Sequence, residues 1–258
     1  MDINILGTQV HCDEYGEGGS WVLLLHGWGC SAEMMKPLAE LLKDGHRVLV
    51  PDFPGHGKSG RPPEPWGVPE YASCIHEMLL QLNAYPCIVI AHSFGCRVAA
   101  ILEAEHPELF SKIVFTGGAG IRKPQNENAS KRVKRYKRLK NINATMAKIP
   151  LLKDITHRIG EALVHKYGSP DYAALDSEMR KTFVKVISQD LSEYYPRFKH
   201  STLLVWGRQD TETPLWMGQK MEEWIPDAGL VQLDGDHFVW LRQLQRFVII
   251  VKAFITED

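Results

Sequence analysis

Three side chains far apart in the chain, Ser93, Asp210 and His237, are of the types that together carry nucleophilic acyl transfer. A serine hydroxyl is a weak nucleophile at its free pKa and needs both a base beside it and a turn that exposes its oxygen. Ser93 lies in Ile88-Val89-Ile90-Ala91-His92-Ser93-Phe94-Gly95, where an apolar run stops and a small-residue helical pattern begins at once. That is the strand–turn–helix context of a nucleophile elbow, with Ala91 in place of the first glycine of G-x-S-x-G. Asp210, in Trp206-Gly207-Arg208-Gln209-Asp210, follows a strand-like run. An acid there would hold a histidine in one tautomer and stabilise its protonated form. His237, in Asp234-Gly235-Asp236-His237-Phe238, falls between the last strand and the last helix and is the natural general base for Ser93. The glycines of His26-Gly27-Trp28-Gly29 let backbone N–H groups turn toward a ligand. With the backbone amides of Trp28 and Phe94 as donors, an oxyanion hole is expected there.

Other candidates are weaker. His26 and His56 lie on loops at the same edge but precede Ser93, and His92 adjoins the serine, so its side chain is expected to point elsewhere. His11, His46, His76, His106, His157, His165 and His200 fall within elements, at their ends, or in the middle of the chain, and read as solvated or structural. Cys96, three residues after Ser93, reads as a small buried helix residue. No Cys/His cluster has zinc spacing and no glycine-rich phosphate loop is present, so neither metal nor cofactor is expected.

The elements that must position these residues alternate. Continuous apolar runs at Val22–Leu25, Arg47–Val50, Cys87–Ala91, Ile113–Thr116, Thr202–Trp206 and Leu230–Leu233 suit strands buried on both faces. Helical spacing marks Ser31–Leu42 (with Ser31 as N-cap), Tyr71–Leu82, Phe94–Glu105, Leu215–Trp224 and Val239–Phe254. Short segments near Asn4–Leu6 and Gln9–Cys12 predict an edge hairpin. The β-α-β rhythm predicts an α/β fold with a mostly parallel sheet and helices on both faces. Right-handed crossovers put the strand C-terminal ends on one edge, where sites in such sheets sit. The rhythm breaks at residues 121–199, where helices over Glu127–Ala147, Leu151–Lys166 and Ser177–Leu191 predict an inserted cap. The core is then residues 1–120 and 200–258, with Gly117, Gly118 and Gly120 as a possible hinge at the cap's entry.

The order Ser93, Asp210, His237 is that of α/β-hydrolases and differs from the trypsin and subtilisin orders. The segment Asp52-Phe53-Pro54-Gly55-His56-Gly57-Lys58-Ser59 is similar to the D-x-P-G-x-G-x-S loop of that superfamily. Throughout its length the chain resembles an α/β-hydrolase-fold serine hydrolase with a helical cap. The resemblance implies Ser93 as nucleophile, Asp210 as acid, His237 as base, and Trp28 and Phe94 as oxyanion donors. It implies cleavage of a carboxylic ester by way of an acyl-enzyme. Thioesterase, carbon–carbon bond hydrolase, lactonase and proline-type aminopeptidase activities use the same scaffold, as would a non-catalytic small-molecule receptor. A serine rather than an aspartate at position 93 argues against dehalogenase and epoxide hydrolase chemistry.

Composition narrows the partners. The 258 residues carry a net charge of -1, which argues against bulk attraction to nucleic acid or anionic membrane. No apolar run approaches the roughly 20 residues of a membrane span. Five scattered cysteines and an N-terminus without a signal pattern predict a reducing, cytoplasmic setting. Lys131-Arg132-Val133-Lys134-Arg135-Tyr136-Lys137-Arg138-Leu139-Lys140 reads as a cap helix with one charged face, either simply solvated or docking an acidic partner. With the His26–Gly29 loop, that helix resembles the esterases that demethylate a pimeloyl ester on acyl carrier protein, which implies an acidic carrier as a candidate partner. Tyr167, Tyr172, Phe183, Tyr194, Tyr195 and Phe198 are expected either to form the cap's own core or to line an acyl pocket.

Overall fold

The computed structural model describes residues 1–123, 127–147, 149 and 152–256. Among these, eight strands form one sheet in the order β1-β2-β4-β3-β5-β6-β7-β8. β1 (Asp2–Ile5) and β2 (Thr8–Tyr15) make the expected antiparallel hairpin, and β2 joins β4 (His46–Pro51) antiparallel. From β4 the sheet is parallel through β3 (Ser20–Leu25), β5 (Cys87–His92), β6 (Phe110–Thr116), β7 (Thr202–Gly207) and β8 (Ala228–Leu233).

The apolar runs are continuous because alternate residues feed two cores. Leu23, Leu25, Val89, Ala91, Ile113, Phe115, Leu204 and Trp206 face one side. There they meet α2 (Val68–Leu82), α3 (Phe94–Glu105) and α8 (Leu215–Trp224). Val22, Leu24, Ile88, Ile90, Val114, Leu203 and Val205 face the other, with α1 (Ala32–Leu42), α9 (Val239–Arg242) and α10 (Leu244–Thr256). The single helix expected over Val239–Phe254 is thus two, parted at Gln243, whose backbone leaves helical geometry (φ -116, ψ 42).

Ser31 occupies the N-cap position of α1 but its side chain makes no cap bond. Asp52 does that work from the neighbouring loop, its Oδ1 accepting Ala32 N–H at 2.6 Å. Its other oxygen accepts Lys58 N–H at 2.7 Å, so one carboxylate both starts α1 and closes the loop after β4.

The chain divides into two compact units, residues 1–121 with 185–258, and residues 122–184. The second holds α4 (Glu127–Met146), α5 (Lys153–Tyr167), α6 (Pro170–Ala174) and the greater part of α7 (Ser177–Ser188). Leu151, the expected start of α5, lies outside the described residues. Within this unit Asn143 Nδ2 donates to Thr156 O at 2.8 Å, and Arg180 grips Glu161 with two bonds of 2.8 and 2.9 Å.

The second compact unit covers residues 122–184 of the insertion expected over 121–199. Residues 185–199 are tied to the sheet-bearing unit by Leu191 N–H donating to Gly120 O, Arg97 Nη1 donating to Gln189 O, and Lys199 N–H donating to Glu103 Oε1. Tyr195 and Phe198, expected among the cap's aromatics, are buried in the main core beside α3. No helix among the described residues is long and apolar enough to cross a membrane.

Candidate active site

The sequence-predicted residues gather at the C-terminal ends of the parallel strands. β5 ends at His92 and α3 begins at Phe94, leaving Ser93 to make the whole turn with φ 50 and ψ -104. That conformation is costly for a residue with a Cβ, and a fold retains such strain where the surroundings over-determine it. Here Ser93 N–H donates to Thr116 O at 3.1 Å, Ala119 N–H donates to Ser93 O at 3.2 Å, and Gly95 N–H donates to His26 O at 3.1 Å. Gly95 is required because a Cβ there would lie 2.5 Å from Leu25 O. Ala91, which replaces the motif's first glycine, is fully buried without disturbing the turn.

The His26–Gly29 loop lies directly against this turn. A Cβ on Gly27 would meet His92 Cδ2 at 3.0 Å and Ser93 Cβ at 3.4 Å. His26 is a structural residue, bonding Gly27 O through Nδ1 at 2.7 Å and accepting Phe53 N–H on Nε2 at 3.1 Å. Burial, with His56 nearby, pulls its pKa down to about 3, so it stays neutral and keeps that tautomer. The Trp28 ring stands edge-on to His56 and Phe94, with centroids 4.7 and 5.3 Å away. Phe94 opens α3, where a backbone N–H has no intrahelical partner.

Asp210 and His237 come from the loops after β7 and β8, which are laced together by Arg208 N–H to Leu233 O and Gln209 N–H to Gly235 O. Both side chains are buried, and His237 Nδ1 lies 2.8 Å from Asp210 Oδ2. Burial alone would raise the Asp210 carboxyl. The bond to His237 and its charge, with the bonds from Thr213, outweigh that and hold it below the usual carboxylate range. Gly117, just past β6, packs directly against this pair. Its φ is +53, and a Cβ there would come within 2.9 Å of His237 Nδ1 and 3.4 Å of Asp210 Oδ2. Its role is thus steric accommodation inside the site. Ser93 is fixed by the residues on either side of Gly117, through Thr116 O and Ala119 N–H. The hydrogen-bond partners of His237 Nδ1 are Asp210 and Thr213, with the Ser93 hydroxyl not among them.

Two residues of the site escaped sequence reasoning. Thr213 is buried, and its backbone N–H donates to Asp210 Oδ1 at 2.9 Å. Its Oγ1 lies 2.9 Å from Asp210 Oδ2, 3.0 Å from Gly117 O and 3.2 Å from His237 Nδ1. The only available signal was its position three residues after the acid, which carries no chemistry by itself. His92, expected to point away, packs its ring against His237 at 4.7 Å between centroids and against Trp240 at 5.6 Å. Strand alternation does send it to the opposite face from its neighbour, but the β8–α9 loop dips to that same face. Burial first, then the nearby His237, lowers the His92 pKa to about 3, and its Nδ1 bonds Thr116 O at 3.1 Å. It is a neutral wall behind the His237 ring.

The family profile described as alpha/beta hydrolase fold matches residues 20–242. The chain belongs to this family. The Escherichia coli 2-hydroxy-6-oxononadienedioate/2-hydroxy-6-oxononatrienedioate hydrolase is 25% identical, over 96% of this chain and 91% of its own. The enol-lactonase of Burkholderia xenovorans superposes with a TM-score of 0.75 at 21% identity, covering all of both chains. An esterase of Exiguobacterium antarcticum gives 0.75 at 20% identity over 99% of each. This α/β-hydrolase is accordingly an enzyme of the hydrolase class. The expected α/β fold, a mostly parallel sheet with helices on both faces, is the one observed, with eight strands among the described residues.

Proposed function

We propose that this α/β-hydrolase cleaves a carboxylic ester through an acyl-enzyme formed on Ser93. His237 takes the Ser93 proton as the hydroxyl attacks the carbonyl carbon. Asp210 holds the imidazole by Nδ1, so that Nε2 is the basic nitrogen, and stabilises the imidazolium that forms. The tetrahedral oxyanion is received by the backbone amides of Trp28 and Phe94, each such donor being worth about 3 kcal/mol in comparable sites. His237 then protonates the departing alcohol, and a water molecule repeats the sequence on the acyl group. The observation that carries this reading is the buried Asp210–His237 contact of 2.8 Å at Gly117, next to a serine held in strained backbone geometry. Thr213 adds a positioning role by bracing the carboxylate and Nδ1 together.

Steady-state rates on p-nitrophenyl esters of increasing acyl length test the reaction class, with matched thioesters, lactones and a carbon–carbon cleavage substrate alongside. Ester turnover should exceed the others by at least an order of magnitude. A preference for lactone or carbon–carbon cleavage would move the assignment to that chemistry.

One further feature bears on the acyl donor. Lys131, Lys134, Arg135, Lys137, Arg138 and Lys140 are all exposed on α4. Such a face suits an acidic carrier protein bearing the acyl group. A preference for carrier-bound over free ester that fades with salt would support it, and equal rates at all ionic strengths would remove it.

A further inference from the structure

Two histidines that the proposed reaction does not use are brought together by the packing of α2 on α3. We propose that His76, His106 and Glu108 form a surface site for a divalent transition-metal ion of the zinc, nickel or copper kind. One ligating atom from each residue lies within 4.8 Å of the other two. The imidazoles of His76 and His106 face each other with centroids 4.2 Å apart and planes 18° from parallel. His106 Nδ1 is 3.4 Å from Glu108 Oε1. Metal–nitrogen bonds of about 2.0–2.1 Å set ligand atoms roughly 3.3 Å apart in a tetrahedral site. Binding requires the two stacked rings to turn until their in-plane lone pairs converge on the ion, with the exposed Glu108 swinging in to complete the set.

The backbone under the cluster is built to hold it. His106 ends α3 in a non-helical conformation (φ -135, ψ 58), with its N–H on Leu102 O at 2.7 Å. Pro107 then opens a 3-10 turn, closed by Leu109 N–H on His106 O at 3.1 Å. Leu109 and Phe110 behind it are buried, so the two ligands of this corner are anchored in the core. The third ligand comes from α2, whose Ile75, Met78 and Leu79 lie in the same core cluster.

Two imidazoles and one carboxylate select borderline transition ions over magnesium or calcium, which favour oxygen donors. Glu77 Oε1 lies 3.9 Å from His76 Nδ1, beyond hydrogen-bond reach, and adds negative charge beside the cluster without orienting the ring. Because the side chains are partly exposed, water fills the remaining coordination positions. The bound ion ties α2 to the far end of α3, the helix whose first residue follows Ser93. With 12 residues between, about 18 Å of helix separates the ion from the turn. Its effect is on stability and not on chemistry.

Calorimetric titration of zinc chloride and nickel chloride into the untagged full chain, with thermal denaturation at each metal concentration, tests the site. One ion should bind per chain with micromolar affinity and raise the melting temperature, whereas magnesium chloride should give no saturable heat. His76→Asn and His106→Asn should each weaken binding by about tenfold or more while ester turnover stays at the wild-type level. Ser93→Ala should bind zinc as wild type does, which separates this site from the catalytic edge. Should either histidine variant fold poorly, Glu108→Gln serves in its place, since the side chain is exposed, and it should weaken binding several-fold. Absence of saturable zinc binding below a millimolar, or undiminished binding in the His76→Asn/His106→Asn double variant, would overturn the proposal.

Discussion

The two halves of the site are held in different ways. The turn at Ala91–Gly95 is fixed by backbone: Ser93 at positive φ, its N–H and C=O bonded to Thr116 and Ala119, and Gly95 seated on Leu25 O. The loops carrying Asp210 and His237 are also laced by backbone bonds, but the two functional side chains are held by another side chain, with Thr213 Oγ1 touching the carboxylate, the imidazole and Gly117 O at once. A backbone-held group tolerates exchange of its own side chain but not an added Cβ nearby. A side-chain-held group is sensitive to a single hydroxyl and to pH.

The largest expected effect comes from removing the chemistry while leaving the turn. Ser93→Ala should lower kcat by about 10^4-fold or more, with the melting temperature nearly unchanged. Survival of more than a tenth of the activity would break the assignment of the nucleophile. Next is Gly117→Ala, which puts a methyl 2.9 Å from His237 Nδ1 at a positive φ. A loss of kcat/KM of about 10^2-fold is expected, because a displacement of the base on the ångström scale costs that much. Wild-type kinetics in this variant would show that the base reaches Ser93 by another path.

Thr213 sharpens the contrast. Thr213→Val keeps the shape and removes one hydroxyl, so kcat should fall about tenfold with little change in KM, and Thr213→Ser should restore most of it. The Asp210 carboxyl, followed by carbon-13 NMR of its side chain, should also titrate at higher pH. Asp210 is held below its usual range partly by Thr213, so its ionised form is lost only at low pH; without the hydroxyl that loss begins at higher pH. An unaltered Asp210 titration alongside reduced kcat would leave Thr213 a merely structural residue.

The smallest effect concerns stability. His26 and His92 have ordinary values of 6.5 that burial lowers to about 3 in the folded chain. Below pH 6.5 the unfolded chain gains protons at these rings that the folded chain refuses until near pH 3, so stability is full above 6.5 and falls as pH drops through that window. Melting temperatures from pH 7.5 to 5 should decline, and His92→Gln should flatten the slope. An equal slope in that variant would exclude His92 from the linkage.

What the sequence disclosed follows the same division. Buried parallel strands were legible because both faces demand apolar residues, and Ser93 was legible because a strand, a turn and a small-residue helix adjoin it. The order of Ser93, Asp210 and His237 carried the rest of the candidate set. Thr213 was illegible because a hydroxyl acquires its meaning from three partners, two of them 24 and 96 residues away. Asp52 was readable as part of a motif, but not as the cap of α1, since that bond spans a loop between elements. The packing of Tyr195 and Phe198 was illegible because an aromatic residue suits either unit, and only their burial beside α3 assigns them. His76 and His106 looked like solvated helix residues for a similar reason: their meeting depends on how α2 lies on α3.

The most direct test of the account is to map the residue that a fluorophosphonate modifies. Intact mass and peptide mass of the labelled protein should show one adduct, on the peptide carrying Ser93, formed at least about a hundredfold more slowly in His237→Ala. An adduct on another residue, or no adduct on protein that binds substrate normally, would contradict it.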